Sequence, residues 1–334
     1  AAIENDMRVV MPYYGIPTGQ TDEDVAMAYN RYILSDLLRD QLGFEGVICT
    51  DWGVVTGRNW GVEALSIEER YLKSIDAGVD QYGGEKDTKY VLRLVNNGAV
   101  SEARIDASVR RILRNKFDLG LFDAPFVDED AIDATVNLAS YQTLGMEAQR
   151  KAIVLLDNAE QVLPLDANTR VFVDGLDTTL AQDYGTIVDT PNDADVTLVF
   201  LNTVFNGNQP PGTDRATDQM MASMFPGTNL DFNEEVLAKI QRYSEVSQVV
   251  TLVDLNRPAI LTEIKASSSA LAGTFGVSDD AMLDIVFGRY APQGKLPFEL
   301  PSSMAEVEVQ FEDLPDDTVN PLFPFGWGLT YPEG

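Results

Sequence analysis

Two carboxylates stand where strand-like runs end. Asp51 closes the run Val47-Ile48-Cys49-Thr50 and is followed at once by Trp52. Glu85 comes three residues after Tyr82, past the pair Gly83-Gly84. If the two runs are neighbouring strands of a parallel sheet, they lie about 4.8 Å apart. The carboxyl groups can then approach the ~5–5.5 Å at which one attacks an acetal carbon while the other moves the proton. Trp52 would offer a flat apolar face to the C–H side of a sugar ring. A plainer reading stands beside this one. An Asp after a strand is an ordinary cap or turn residue, Trp52 can fill a core, and Glu85 beside Lys86 and Asp87 can simply be solvated.

Composition narrows the chemistry. The 334 residues contain no histidine, which removes Ser-His-Asp and Cys-His mechanisms and histidine-based zinc sites from this chain. General acid–base work falls to carboxylates, Lys or Tyr. Cys49, the single cysteine, allows no internal disulfide and reads as a buried structural thiol. No spaced ligand cluster suggests a metal, and neither G-x-G-x-x-G nor G-x-x-x-x-G-K-[ST] follows a strand, so no nucleotide cofactor is expected. The formal charge of −29, from 53 acidic and 24 basic residues, repels phosphate backbones and anionic lipid. Neither nucleic acid nor membrane is expected as a partner. No window of 18 residues is wholly apolar, and the opening residues carry no visible signal peptide.

The elements that must position these groups alternate between strand and helix. Residues 7–14 read as a buried strand, 24–42 as a helix with Val25, Ala28, Tyr29, Tyr32, Leu37 and Leu38 on its apolar face, and 46–50 as a second strand. Ser66 and Glu69 form a capping box that opens a helix ending at Gly78. Residues 79–82 form a third strand, with helices over 88–96 and from Glu102 onward. Such alternation implies parallel strands joined by right-handed crossovers. Three units in about 120 residues are too few to close an eight-stranded barrel, which takes about 250. The fold class is therefore α/β. Either an upstream portion completes the barrel or the sheet is open; in the first case residues 1–120 would be the last three β/α units of an incomplete (β/α)8 barrel, with 121–139 a linker and 140–334 an open α/β/α sandwich. Its strands are expected at 153–156, 170–173, 196–202, 248–255 and 270–275, and its helices at 233–245, 257–265 and 279–287. The long loop 203–231 is of a size that is usually functional or disordered.

The stretch GFEGVICTDWG (43–53) resembles the nucleophile motif of family 3 glycoside hydrolases, G-F-x-G-x-V/I-x-S/T-D-W. Further segments resemble that family in order along the chain: VVMPYYG, AGVDQYGG, IDASVRRILRNKFDLGLFD, KAIVLLDNAEQVLPL, GRYAPQGKLPFELP and PLFPFGWGLTY. The resemblance implies a retaining, exo-acting β-glycoside hydrolase, most simply a β-glucosidase acting on β-linked glucosides or short oligosaccharides without a cofactor. It implies that Asp51 is the nucleophile that forms a covalent glycosyl-enzyme, that Trp52 borders the sugar, and that Tyr14 lies near the nucleophile. It also implies earlier barrel strands upstream of residue 1, in the same or a separate chain, without which this portion would be inactive.

Two features depart from the pattern. Many relatives place their acid/base Glu on a long loop of the second domain, and the loop 203–231 has no Glu. Glu85 is the first candidate for acid/base, Asp214 the runner-up with Asp218, Asn206 and Gln209 nearby, and the upstream segment a third source. Ala64 stands where relatives often carry His, and Trp327 where they often carry His or Tyr. A noncatalytic sugar-binding or scaffold protein on the same fold is the alternative these departures favour. The compartment is not fixed by the residues, with a secreted or periplasmic location favoured over a cytoplasmic one.

Overall fold

The computed structural model describes residues 2–136, 138–204, 229–311, 314 and 316–331. The chain divides into two compact units, Ala1–Ala131 and Ile132–Gly334.

The first unit is built on three parallel strands in the order β1 (Val9–Val10), β2 (Val47–Trp52) and β3 (Gln81–Gly83). Only Val9 and Val10 of the expected strand 7–14 pair with β2. Pro12, two residues on, has no amide proton to give a ladder. The expected helix 24–42 is two pieces: a 3-10 turn at Met27–Tyr29 and a wide π-type helix at Tyr32–Gln41. The break is Asn30, whose backbone is extended. Its buried side chain accepts from the Ile33 amide at 3.1 Å and donates to Thr21 Oγ1 at 2.7 Å. It therefore caps the second helix instead of continuing the first. Helix α1 (Ile67–Ala77) has the expected box. Ser66 Oγ accepts from the Glu69 amide at 3.3 Å, the Glu69 carboxylate accepts from the Ser66 amide at 2.8 Å, and Gly78 closes the helix at φ 117°. Helices α2 (Lys89–Asn96) and α3 (Glu102–Asp118) follow.

One carboxylate ties this unit together. Asp80 has no exposed side-chain surface. Its Oδ2 accepts from Arg39 at 2.6 Å and from the Ile48 amide at 3.0 Å. Its Oδ1 accepts from Ser108 at 2.6 Å and Arg111 at 2.9 Å, with Arg104 at 3.7 Å. The residue just before β3 thus anchors β2, the π-type helix and α3 at once.

The second unit holds a six-stranded mixed sheet in the order β4 (Val154–Asp157), β9 (Ala270–Thr274), β8 (Gln248–Asp254), β7 (Val196–Leu201), β5 (Arg170–Asp174) and β6 (Thr186–Ile187). All pairs are parallel except β4 with β9. Alternate residues of the strands feed two apolar clusters, with Leu155, Val171, Leu198 and Leu252 in one and Val154, Val199, Val253 and Leu271 in the other. A strand pair β10 (Leu300–Pro301) and β11 (Pro321–Phe323) stands apart. The expected helix 257–265 is confined to Thr262–Ala266, because Ile260 forms a β-bridge with Asp231 and its amide donates to the Leu230 carbonyl at 3.0 Å. The expected linker holds helical turns at Glu129–Ala131 and Ile132–Thr135, and helix Ala139–Ala152 follows it. Among the described residues, no helix is long and apolar enough to cross a membrane.

Removing the Asp80 carboxylate leaves partly buried guanidinium groups without their counter-charge. Asp80→Ala is expected to lower stability by about 3–5 kcal/mol, read by urea unfolding with tryptophan fluorescence. A loss near zero would remove Asp80 as the anchor.

Candidate active site

The site grows from the carboxyl end of β2. Val47 to Thr50 are buried, Asp51 is half-buried and Trp52 is 59% exposed. The change of environment follows from the pairing. Cys49 pairs with Gln81 and Trp52 with Gly83, three steps on β2 against two on β3, so β2 carries one extra residue. Such a bulge re-aims a side chain out of the regular alternation, and Asp51 lies within it. Thr50 Oγ1 accepts from the Gly83 amide at 2.9 Å and stays inside.

Trp52 rests on glycine backbone. A Cβ on Gly83 would fall 2.7 Å from Trp52 Cε3, and one on Gly84 2.8 Å from Trp52 Cδ1. A side chain at either position would lift the indole from its seat. Gly84 also sits at φ +70°, a conformation open to glycine at little cost.

Around Asp51, the Trp52 amide donates to Oδ1 at 2.6 Å. The Tyr14 hydroxyl donates to the Trp52 carbonyl at 2.7 Å, and Arg58 Nη1 donates to the same carbonyl at 3.3 Å. The Arg58 guanidinium lies 5.1 Å from the centroid of the Tyr14 ring, which meets Trp60 edge-on at 5.6 Å. Burial pushes the Tyr14 phenol up to about 12, the neighbouring Asp51 carboxylate adds to the shift, and Arg58 works against it. Burial, with Asp51 nearby, also pushes the Cys49 thiol up, as expected of a structural thiol rather than a nucleophile.

Glu85 reaches back to the turn that follows Trp52. Its Oε1 accepts from the Val55 amide at 2.9 Å, the Thr56 amide at 3.0 Å and Thr56 Oγ1 at 3.2 Å, and its Oε2 accepts from Thr56 Oγ1 at 3.0 Å. The structure thus gathers Tyr14, Asp51, Trp52 and Glu85 at one end of the three-stranded sheet. Asp214, Asp218, Asn206 and Gln209 lie outside the described residues. Arg58 was missed in the sequence. Its only signal was a lone cation just past the Asp-Trp-Gly turn. Among the described residues, no three His, Cys, Asp or Glu side chains come together where they could hold a metal.

Comparison with known proteins agrees with this architecture. Residues 1–115 match the glycosyl hydrolase family 3 N terminal domain and residues 174–331 the family's C-terminal domain. The chain is 42% identical over 346 residues to a probable beta-glucosidase C of Aspergillus flavus, covering 99% of this chain and 53% of that protein. It is 38% identical over 355 residues to a periplasmic beta-glucosidase/beta-xylosidase of Dickeya chrysanthemi, again covering 99% and 53%. The chain spans about half the length of these curated relatives. Among solved structures, a beta-glucosidase from Listeria innocua superposes with a TM-score of 0.77 at 22% identity, over 99% of this chain and 53% of that one. An exo-1,3/1,4-beta-glucanase from a Pseudoalteromonas species gives 0.77 at 24% identity, over 99% and 59%. The chain belongs to glycoside hydrolase family 3.

The raised Tyr14 value sets a pH test. The fold keeps this phenol protonated in a range where an unfolded chain ionises it. Its contribution is complete below pH 10 and is lost as the pH rises from 10.0 to about 12. Tyr14→Phe is expected to flatten the fall of stability across that window, read by urea unfolding at stepped pH. An unchanged slope would place Tyr14 in ordinary solvent.

Proposed function

We propose that this chain is the carboxyl-terminal portion of a retaining, exo-acting β-glucosidase. In this reading the first unit supplies the last three β/α units of a (β/α)8 barrel, and the second is an α/β/α sandwich. An upstream segment, in the same or a separate chain, completes the barrel. The edge strand β1 supports this, since Val9 on it and Met11 and Tyr13 just past it are 50%, 53% and 59% exposed. Parallel strands are normally covered on both faces and rarely left with bare edges.

The observation that carries the proposal is the half-buried Asp51 carboxylate in a strand-end bulge, between the exposed Trp52 indole and the buried Tyr14 phenol. Asp51 attacks the anomeric carbon of a β-linked glucoside. The glycosidic bond breaks, its electron pair leaves with the aglycone oxygen, and an acid protonates that oxygen. The product is an ester between Asp51 and the sugar. Water, activated by the conjugate base of that acid, then attacks the same carbon and frees Asp51. The Tyr14 and Arg58 bonds to the Trp52 carbonyl hold the backbone that carries the nucleophile, and Trp52 presents its free face to the ring. For the acid, the sequence offered Glu85 and Asp214. Glu85 has both oxygens engaged at the turn 55–56, which leaves Asp214 as the candidate to test in this chain. Beta-glucosidases named periplasmic in Dickeya chrysanthemi and Salmonella typhimurium support a secreted or periplasmic location.

The lack of histidine and of Glu in residues 203–231 favours one competing reading, a noncatalytic sugar-binding or scaffold protein. A 2-deoxy-2-fluoro-glucoside separates the two when applied to the polypeptide that includes the upstream segment. The enzyme reading predicts a glucosyl label on Asp51 in peptide mass spectra. It also predicts a loss of turnover on the order of 10⁴-fold in Asp51→Asn with the fold intact. Sugar binding without a label, or an active Asp51→Asn protein, would overturn it.

A further inference from the structure

We propose that Glu85 is a positioning residue, a clamp that holds the turn after β2 and, through it, the Asp51 carboxylate and the Trp52 indole. The turn leaves the sheet, so its backbone polar groups need partners from elsewhere. The Trp52 carbonyl is met by Tyr14 and Arg58. The Val54 carbonyl accepts from the Tyr29 hydroxyl at 3.0 Å, and the Val55 carbonyl from Arg70 Nη1 at 3.1 Å. The Gly53 amide donates to the Gly83 carbonyl at 3.1 Å, and the Gly53 carbonyl accepts from the Gly57 and Arg58 amides at 2.9 and 3.0 Å. The Val55 and Thr56 amides both donate to Glu85 Oε1.

Val55 is wholly buried, in a cluster with Tyr71, Ile75, Leu94 and Val100. Its amide has no route to water once that cluster forms, and a buried donor left unmet destabilises the fold around it. Glu85 follows directly on Gly83 and Gly84, the seat of the Trp52 indole. One short stretch of β3 and its exit therefore supports the indole from below and ties down the turn beyond it. A carboxylate that takes two backbone amides on one oxygen and a single hydroxyl shared across both oxygens is arranged to hold a loop. It is not arranged to hand a proton to a leaving group.

The consequence for turnover rests on the β-glucosidase reading, so the test has two readouts. In the chain itself, hydrogen exchange at the Val55 and Thr56 amides is expected to speed at least tenfold in Glu85→Ala and to stay near wild type in Glu85→Gln, whose amide oxygen can still accept both bonds. Unchanged exchange in Glu85→Ala would overturn the clamp. In the polypeptide with the upstream segment, Glu85→Gln is expected to keep its kcat within a few-fold for good and poor aryl leaving groups alike, with the wild-type pH profile. Glu85→Ala is expected to fall on the order of 10²-fold, as for a displacement of about 1 Å at a reacting group. Two results would make Glu85 the acid/base and overturn the proposal: loss of the alkaline limb in Glu85→Gln, or azide rescue of Glu85→Ala as a glucosyl azide. If the wild-type polypeptide hydrolyses no glucoside, the β-glucosidase reading fails, and the exchange data alone decide the clamp.

Discussion

The end of β2 carries a conflict between two demands on the same few residues. A carboxylate that is to meet a ligand must leave the sheet, and leaving the sheet strips the following backbone of its ladder partners. The chain resolves this with side chains brought from distant positions. Tyr14 and Arg58 converge on the Trp52 carbonyl, Tyr29 and Arg70 take the Val54 and Val55 carbonyls, and Glu85 takes the Val55 and Thr56 amides. Asp51 and Trp52 can face outward while these bonds hold the turn behind them.

That turn is only as well placed as the strands beneath it. β2 and β3 are fixed to each other by Thr50 with Gly83 and by Asp80 with the Ile48 amide. Asp80 then fastens both strands to the helices through Arg39, Arg111 and Ser108. A buried carboxylate shared among several guanidinium groups is a poor source of net stability but a strict one of geometry, since any shift leaves charge unmet in a place water cannot reach. The second unit has a buried carboxylate with one guanidinium and one phenol. Asp284, buried, accepts from Arg150 Nε at 2.6 Å and from the Tyr184 hydroxyl at 3.0 Å.

What was legible in the sequence was local. The apolar run into Thr50-Asp51-Trp52 gave the strand and its end, and Ser66, Glu69 and Gly78 gave both ends of α1. Pairing partners and side-chain reach were not legible. Asn30 sits in a helical pattern, and only the bond its side chain accepts from the Ile33 amide shows that it is a cap. Pro12 ends the ladder of β1 against the apolar pattern around it, and the bridge of Ile260 to Asp231 joins residues far apart in the chain, which no local pattern carries. Glu85 was picked out for its type and its distance from Asp51. Its role turns on where its oxygens point, which spacing along a chain does not carry. The bulge at Asp51 depends on the register between two strands thirty residues apart, and no local pattern encodes it.

The account is tested most directly by a crystal structure of the polypeptide with its upstream segment and glucose bound. It predicts a carboxylate oxygen of Asp51 about 3–3.5 Å from the anomeric carbon, the free face of Trp52 against the sugar, and Glu85 still on the Val55 and Thr56 amides. Glucose seated with Asp51 turned away from that carbon, or Glu85 swung onto the anomeric oxygen, would contradict it.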